Sequence, residues 1–246
     1  MDRLVYIAMS GAKEILRAQT ANNHNLANAN TTGFKADLSA FQTESVVGTG
    51  LATRAYATDG SVGFDSSSGG LTQTGRDLDV AVAGPGWIAV QGNDGNEAYT
   101  RAGDLRVDPT GVLTTATGNP VLGDNGPITV PPSTSVSVGA DGSVSVVPLG
   151  QSAQTVSTVG RIKLVNPPDG ALVRGADGLF RLGSGATAES DANVRLVAGA
   201  LEGSNVNLAA TMANMIELAR NYELQVKAMR TAEDNAAASS KLLQAG

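Results

Sequence analysis

Apolar residues recur at alternating intervals of four and three at both ends of this 246-residue chain, and at intervals of two in between. Near the N-terminus the row runs through Met1, Val5, Ala8, Ala12, Ile15, Gln19, Asn22 and Leu26. This is the heptad period of a helix that packs along one seam, apolar in its first part and polar in its last. It predicts a helix from residue 2 to about 28, with Gly33 as its stop, because glycine tolerates the left-handed conformation found beyond many helix ends. Near the C-terminus, Leu208, Met212, Met215, Ala219, Tyr222, Val226 and Met229 repeat the period. They predict a second helix over 205–246, capped by Asn205 or Asn207. At about 1.5 Å per residue, the stretch from Asn207 to Leu243 is roughly 55 Å long.

Between these ends the pattern changes. Residues 36–74 are polar and Gly/Ser-rich, and predict an extended connection with one or two short strands. Residues 75–204 hold short alternating runs separated by turn residues: Asp79–Ala83 before Gly84-Pro85-Gly86, and Trp87–Val90 before Gly92-Asn93-Asp94-Gly95. Val136-Ser137-Val138 and Val144-Ser145-Val146 flank Gly139–Gly142 and predict a hairpin. The fold expected is α+β: terminal helices (1–35 and 205–246) packing as a coiled-coil-like assembly domain, a connection (36–74), and an all-β domain (75–204) built as a sandwich or irregular barrel. Neither helix can bury its seam alone, so each must pack on the other or on neighbouring copies.

Composition narrows the function. Charged residues make up 16% of the chain, the formal net charge is −6, and no block of Lys or Arg stands out. A nucleic-acid partner and an anionic membrane surface are therefore not expected. The absence of cysteine removes disulfides, thiolate metal sites and a Cys nucleophile. The apolar run Leu4–Met9 is too short for a signal-peptide core or a membrane span, so direct membrane insertion and a cleaved signal peptide are not expected.

Four segments carry a resemblance. Asn25-Leu26-Ala27-Asn28-Ala29-Asn30-Thr31-Thr32-Gly33-Phe34-Lys35 resembles the N-terminal signature of the flagellar rod and hook family. Leu78 to Trp87 is similar to its central strand-turn segment, and Tyr99-Thr100-Arg101-Ala102-Gly103 with Gly111–Thr115 to its next landmarks. Leu201-Glu202-Gly203-Ser204-Asn205-Val206-Asn207, followed by Met212–Leu218, resembles its C-terminal signature. These matches bracket nearly the whole chain in the family's order. Met1–Ala12 and Tyr222–Glu233 look like the proximal-rod members. The chain departs at His24, Trp87 and Leu208, where the family commonly has Asn, often Phe, and frequently Pro, Val or Ala.

The resemblance implies a non-enzymatic subunit of the axial rod, which crosses the periplasm and transmits torque. It also implies export through the flagellar type III apparatus, and partners that are copies of itself and other rod subunits. Val5, Ala8, Ala12, Ile15, Leu26, Asn28, Leu208, Met212, Met215, Ala219, Tyr222, Val226 and Met229 are the expected subunit contacts. Two rival readings stand beside this one: a distal-rod or hook subunit, and a secreted β-rich protein that binds or hydrolyses cell-wall glycan.

Residues with chemical potential have structural readings. Gly183–Ala188 mimics a dinucleotide loop, yet Glu189-Ser190-Asp191 follows where an amphipathic helix is required. His24 is the chain's one histidine. Asp94, Asp104, Asp108, Asp124 and Asp141 include candidates for a glycosidic carboxylate pair, but most adjoin Gly or Pro and suit turns. Trp87 fits a core strand or a sugar platform. No catalytic residue, cofactor or metal is expected. Asn22, Asn23, Asn25, Asn28 and Asn30 form either a capped, fraying helix end or a set of amides that bond between subunits.

Overall fold

A computed structural model of the chain describes residues 4–38, 40–45, 55–60, 63–151 and 155–244. The fold is α+β and divides into two units.

The first unit comprises residues 1–29, 36–65 and 206–246. It holds α1 (Leu4–Ala27), α2 (Leu208–Gln244) and an antiparallel pair of strands, Ala40–Ser45 with Ala55–Gly60, next to α1. The pair of strands lies inside the segment expected to be a connection. Met1, the first position of the predicted α1 row, is outside the described residues. α1 ends at Ala27, six residues before Gly33, so Gly33 is not its stop. Instead, Asn28 donates its side-chain amide to the His24 carbonyl at 2.9 Å and satisfies one of the last-turn acceptors. At the other helix, Asn207 is the N-cap, its Oδ1 accepting the Ala210 N–H at 3.1 Å.

The two helices pack antiparallel. Asn22 donates to the Thr211 carbonyl at 2.9 Å, while Gly11, earlier in α1, lies against Gln225, later in α2. A Cβ at Gly11 would come within 3.2 Å of the Gln225 side chain, so the missing side chain permits close approach. On α1 the buried row is Ala8, Ala12, Ile15 and Ala18, mostly small residues. On α2 the buried and half-buried row is Thr211, Met215, Leu218, Tyr222, Gln225, Met229 and Ala232, an unbroken four-three alternation.

The second unit, residues 30–35 and 66–205, is β-rich. Its largest sheet has five antiparallel strands in the spatial order Leu164–Val165, Trp87–Gln91, Glu97–Thr100, Phe180–Leu182, Leu172–Arg174. A three-stranded sheet joins Ser133–Val138, Ser143–Pro148 and Ser157–Arg161. The predicted hairpin is its first turn, with Val138 opposite Val144 and Val136 opposite Val146. Smaller pairs include Val80–Ala83 with Arg195–Ala198 and Leu71–Gln73 with Ala200–Glu202. Alternation aims Val80, Val82, Ile88, Val90, Val144 and Val146 into one core with Leu105, Leu113, Val121 and Ile162. Trp87 is part of this interior, its ring 4.6 Å from that of Phe180. Gly183–Gly185 is a turn after Phe180–Leu182, and no helix follows it.

Aspartates organise the turns. Asp108 Oδ1 accepts the N–H groups of Thr110 and Val112 at 2.9 and 2.8 Å. Asp141 and Asp94 accept those of Ser143 and Asn96. Hydrogen bonds first from the Thr110, Ser143 and Asn96 side chains, then from backbone N–H groups, hold Asp108, Asp141 and Asp94 below the usual carboxylate range. The Arg181 side chain does the same for Asp177. Burial, with Asp79 nearby, pushes Asp104 the other way. A depressed carboxylate contributes stability that is present above its unfolded pKa and is lost as pH falls through its folded pKa. A raised one carries a penalty that acid relieves. The stability contributed by the four lowered carboxylates is therefore expected to be lost as pH drops below about 4. Denaturant titrations of the full chain at pH 6 and pH 3, followed by fluorescence of Trp87, the chain's one tryptophan, check this. Asp108→Asn should reduce the difference between the two. Equal stability of the wild type at both values contradicts the assignment.

Candidate assembly interface

Each helix has a second apolar row that the helix pair leaves uncovered. On α1, Tyr6, Met9 and Leu16 are exposed. On α2, Leu208, Met212 and Ile216 are exposed at four-residue spacing, and Ala219 continues their face. The expected contact residues divide between the rows. Ala8, Ala12 and Ile15 are buried, and Val5, Leu26, Asn28, Met215, Tyr222, Val226 and Met229 are half-buried. Leu208, Met212 and Ala219 lie on the exposed row. The periodicity therefore merged two faces of α2 into one line. Thr211 and Gln225, which complete the inner row, escaped notice because they are polar.

Asn22, Asn25 and Asn28, at the end of α1, have partners within the chain. Asn25 donates to the Asp37 carbonyl at 2.9 Å and accepts the Asp37 N–H at 2.7 Å, in addition to the Asn22 and Asn28 bonds. His24 Nδ1 lies 2.6 Å from Asp37 Oδ2, in a half-exposed pair of the kind that contributes little stability.

In the β-rich unit, a buried ion cluster gathers the signature segments. Lys35 is 0% exposed and donates its ammonium to Glu202 Oε1 and the Ser67 carbonyl, both at 2.7 Å. Glu202, 1% exposed, also accepts the Gly69 N–H at 3.0 Å on Oε1 and the Arg101 guanidinium at 2.8 Å on Oε2. Arg101 donates onward to the Gly84 carbonyl at 2.7 Å and lies 5.4 Å from the Trp87 ring centre. Gly33 donates its N–H to the Glu202 carbonyl at 2.7 Å. It does so at φ +68°, where a Cβ would sit 2.2 Å from the Arg101 carbonyl carbon. That close approach is why this position is glycine. Arg174 lies between the Phe34 and Phe180 rings and bonds the Lys35 carbonyl. The cluster has one anion against two cations, and all three groups are buried and hydrogen-bonded, with Arg101 Nε left without a partner.

Asp94, Asp108 and Asp141 act in turns, and Asp104 sits in a β-bridge opposite Asp79. An open cleft lined by Glu97, Lys163, Asp124 and residues 187–190 contains a carboxylate already paired, with Lys163 Nζ 2.8 Å from both Glu97 oxygens. Tyr99 donates to Glu97 and accepts the Ala188 N–H, and burial pushes its hydroxyl up to about 12. Among the described residues, no three His, Cys, Asp or Glu side chains are grouped to hold a metal ion, and no helix is long and apolar enough to cross a membrane.

Comparison with known proteins places two of those segments in one family. Residues 81–146 match the family model described as the flagellar hook protein FlgE/F/G D1 domain, and residues 197–242 match the flagellar basal body rod FlgEFG protein C-terminal model. The flagellar basal-body rod protein FlgF of Escherichia coli (strain K12) is 43% identical over 99% of both chains. The chain belongs to the flagellar basal-body rod family. The FlgF of Caulobacter vibrioides is 35% identical over 98% of both chains, and the FlgG of Bacillus subtilis (strain 168) is 32% identical over 95% of this chain and 96% of the relative. Members of the rod family are structural proteins, and the role of this chain is structural rather than enzymatic. Glu202 lies within one of the two matched segments, and Arg101 and Gly84 within the other.

Proposed function

We propose that this chain is a subunit of the proximal flagellar rod that assembles with copies of itself and with other axial proteins to transmit torque. One observation carries the reading: α2 buries one apolar row within its own unit and exposes another, Leu208, Met212 and Ile216, which a monomer does not use. In the rod, these helices pack with those of neighbours as a coiled-coil-like tube, and the β-rich unit is a sandwich or irregular barrel in outline. Identity of 43% to the FlgF of Escherichia coli, against 32% to the FlgG of Bacillus subtilis, supports the proximal position over the distal one. Export through the flagellar type III apparatus delivers the subunit to the periplasmic part of the basal body.

Complementation tests this reading. Expressed in a non-motile strain deleted for its own FlgF, the chain should restore spreading in soft agar and be found in purified basal bodies. Recovery of the chain only as free monomer, with no gain in motility, contradicts the assignment.

A further inference from the structure

The chain has five methionines and no cysteine, so every sulfur atom in it is a thioether. Met1 lies outside the described residues. The other four divide between the two kinds of row on the helix pair. Met215 and Met229 are half-buried on the inner row of α2. Met9 and Met212 are on the outer rows, 55% and 47% exposed. Each has apolar row-mates: Tyr6 and Leu16 beside Met9, Leu208 and Ile216 beside Met212. Leucine or isoleucine would fill these two places with equal apolar character. A thioether differs from them in that one chemical step makes it polar.

The step is an oxygen-atom transfer. With hydrogen peroxide as oxidant, a sulfur lone pair forms the new S–O bond, the O–O bond breaks, and the second oxygen leaves as water. The reaction follows exposure of the sulfur, which favours Met9 and Met212 over the inner-row pair. The sulfoxide oxygen is a hydrogen-bond acceptor. While the chain is free, water satisfies it. When a neighbour covers the outer row the oxygen is buried, and Leu208, Ile216 and Ala219 beside Met212 offer it no side-chain donor. We infer that Met9 and Met212 are oxidation sites whose conversion to the sulfoxide by a peroxide makes a free subunit unable to assemble, reversibly through a methionine sulfoxide reductase. The inference rests on the rod-subunit reading. It adds a chemical control that acts before incorporation, because packing into the rod covers both sulfurs.

Peroxide treatment with a resistant variant tests it. In the purified full chain, peptide mass spectrometry should find sulfoxide at Met9 and Met212 before Met215 and Met229. The wild-type chain, and one carrying Met9→Leu and Met212→Leu, are then expressed in the deletion strain, with and without hydrogen peroxide during induction. Leucine keeps the volume and apolar character of both positions. Peroxide should lower wild-type incorporation into basal bodies about tenfold, the scale set by one polar group buried without a partner, and leave the leucine chain unaffected. Sulfoxide at Met9 and Met212 should be found in the unassembled wild-type chain and be depleted in basal bodies. Earlier oxidation of Met215 and Met229 in the purified chain, equal losses of both chains under peroxide, no loss of either, or equal sulfoxide in the free and incorporated pools overturns the inference and leaves the rod reading intact. Absence of the wild-type chain from basal bodies of untreated cells overturns both.

Discussion

Glu202→Gln is expected to destabilise the β-rich unit by about 3–5 kcal/mol, the cost of breaking a buried ion pair from one side. The substitution keeps the shape of the side chain and removes its charge. Lys35 and Arg101 then remain at 0% and 3% exposure with no counterion, and neither ammonium nor guanidinium can reach water without opening the segments that meet there. The amide group also puts a donor where an acceptor is needed, facing either the Lys35 ammonium or the Arg101 fork. Urea unfolding of the full chain, followed by Trp87 fluorescence, reads the effect within this unit, because Trp87 packs beneath Arg101. A companion variant separates ionic from steric causes. Lys35→Met, Arg101→Met and Glu202→Leu together replace the cluster by apolar groups of similar size, and should recover most of the loss. A change below about 1 kcal/mol in Glu202→Gln would mean that the cluster does not hold the unit together.

That cluster was the part of the molecule least legible in the sequence. Gly33, Lys35, Arg101 and Glu202 all lie in segments that carry the family resemblance, yet they are up to 169 positions apart, from Gly33 to Glu202. No local period connects them. A lysine after a glycine reads as a solvated turn until the chain folds around it. The strands were easier to read, since Val136–Val138 and Val144–Val146 alternate with serine and enclose a glycine turn. Gly142 has φ +85°, the left-handed conformation that turn requires. The helices were legible in extent but not in facing. Both helices have two rows. On α1 the four-three count stays on the buried one, through Ala8, Ala12 and Ile15. On α2 a count started at Leu208 moves from the outer row to the inner one at Met215. The asparagines were legible as a helix end. Their partners Asp37 and Thr211 lie 12 and 189 residues away, and only the folded chain brings them together.

The two rows of α2 allow assembly to be separated from folding. Met215→Asp places a carboxylate on the inner row, where an unpaired charge costs several kcal/mol on burial. It should loosen the α1–α2 pair in the isolated chain and abolish motility with it. Ile216→Asp is one residue away on the exposed row. Ile216 is 59% exposed, so its replacement should leave the monomer's helicity and melting midpoint unchanged. Covering a side chain of this size is worth roughly 1.5–3 kcal/mol, and losing that contact lowers the affinity of each subunit contact roughly 10- to 150-fold. The burial of an added charge makes the loss larger.

The measurement that tests helix-driven assembly most directly is therefore the amount of the Ile216→Asp chain in purified basal bodies relative to wild type, alongside circular dichroism of the two monomers. The account predicts identical monomer spectra and melting midpoints, with incorporation reduced at least tenfold and motility lost. Wild-type incorporation and normal swimming by the Ile216→Asp chain would contradict it.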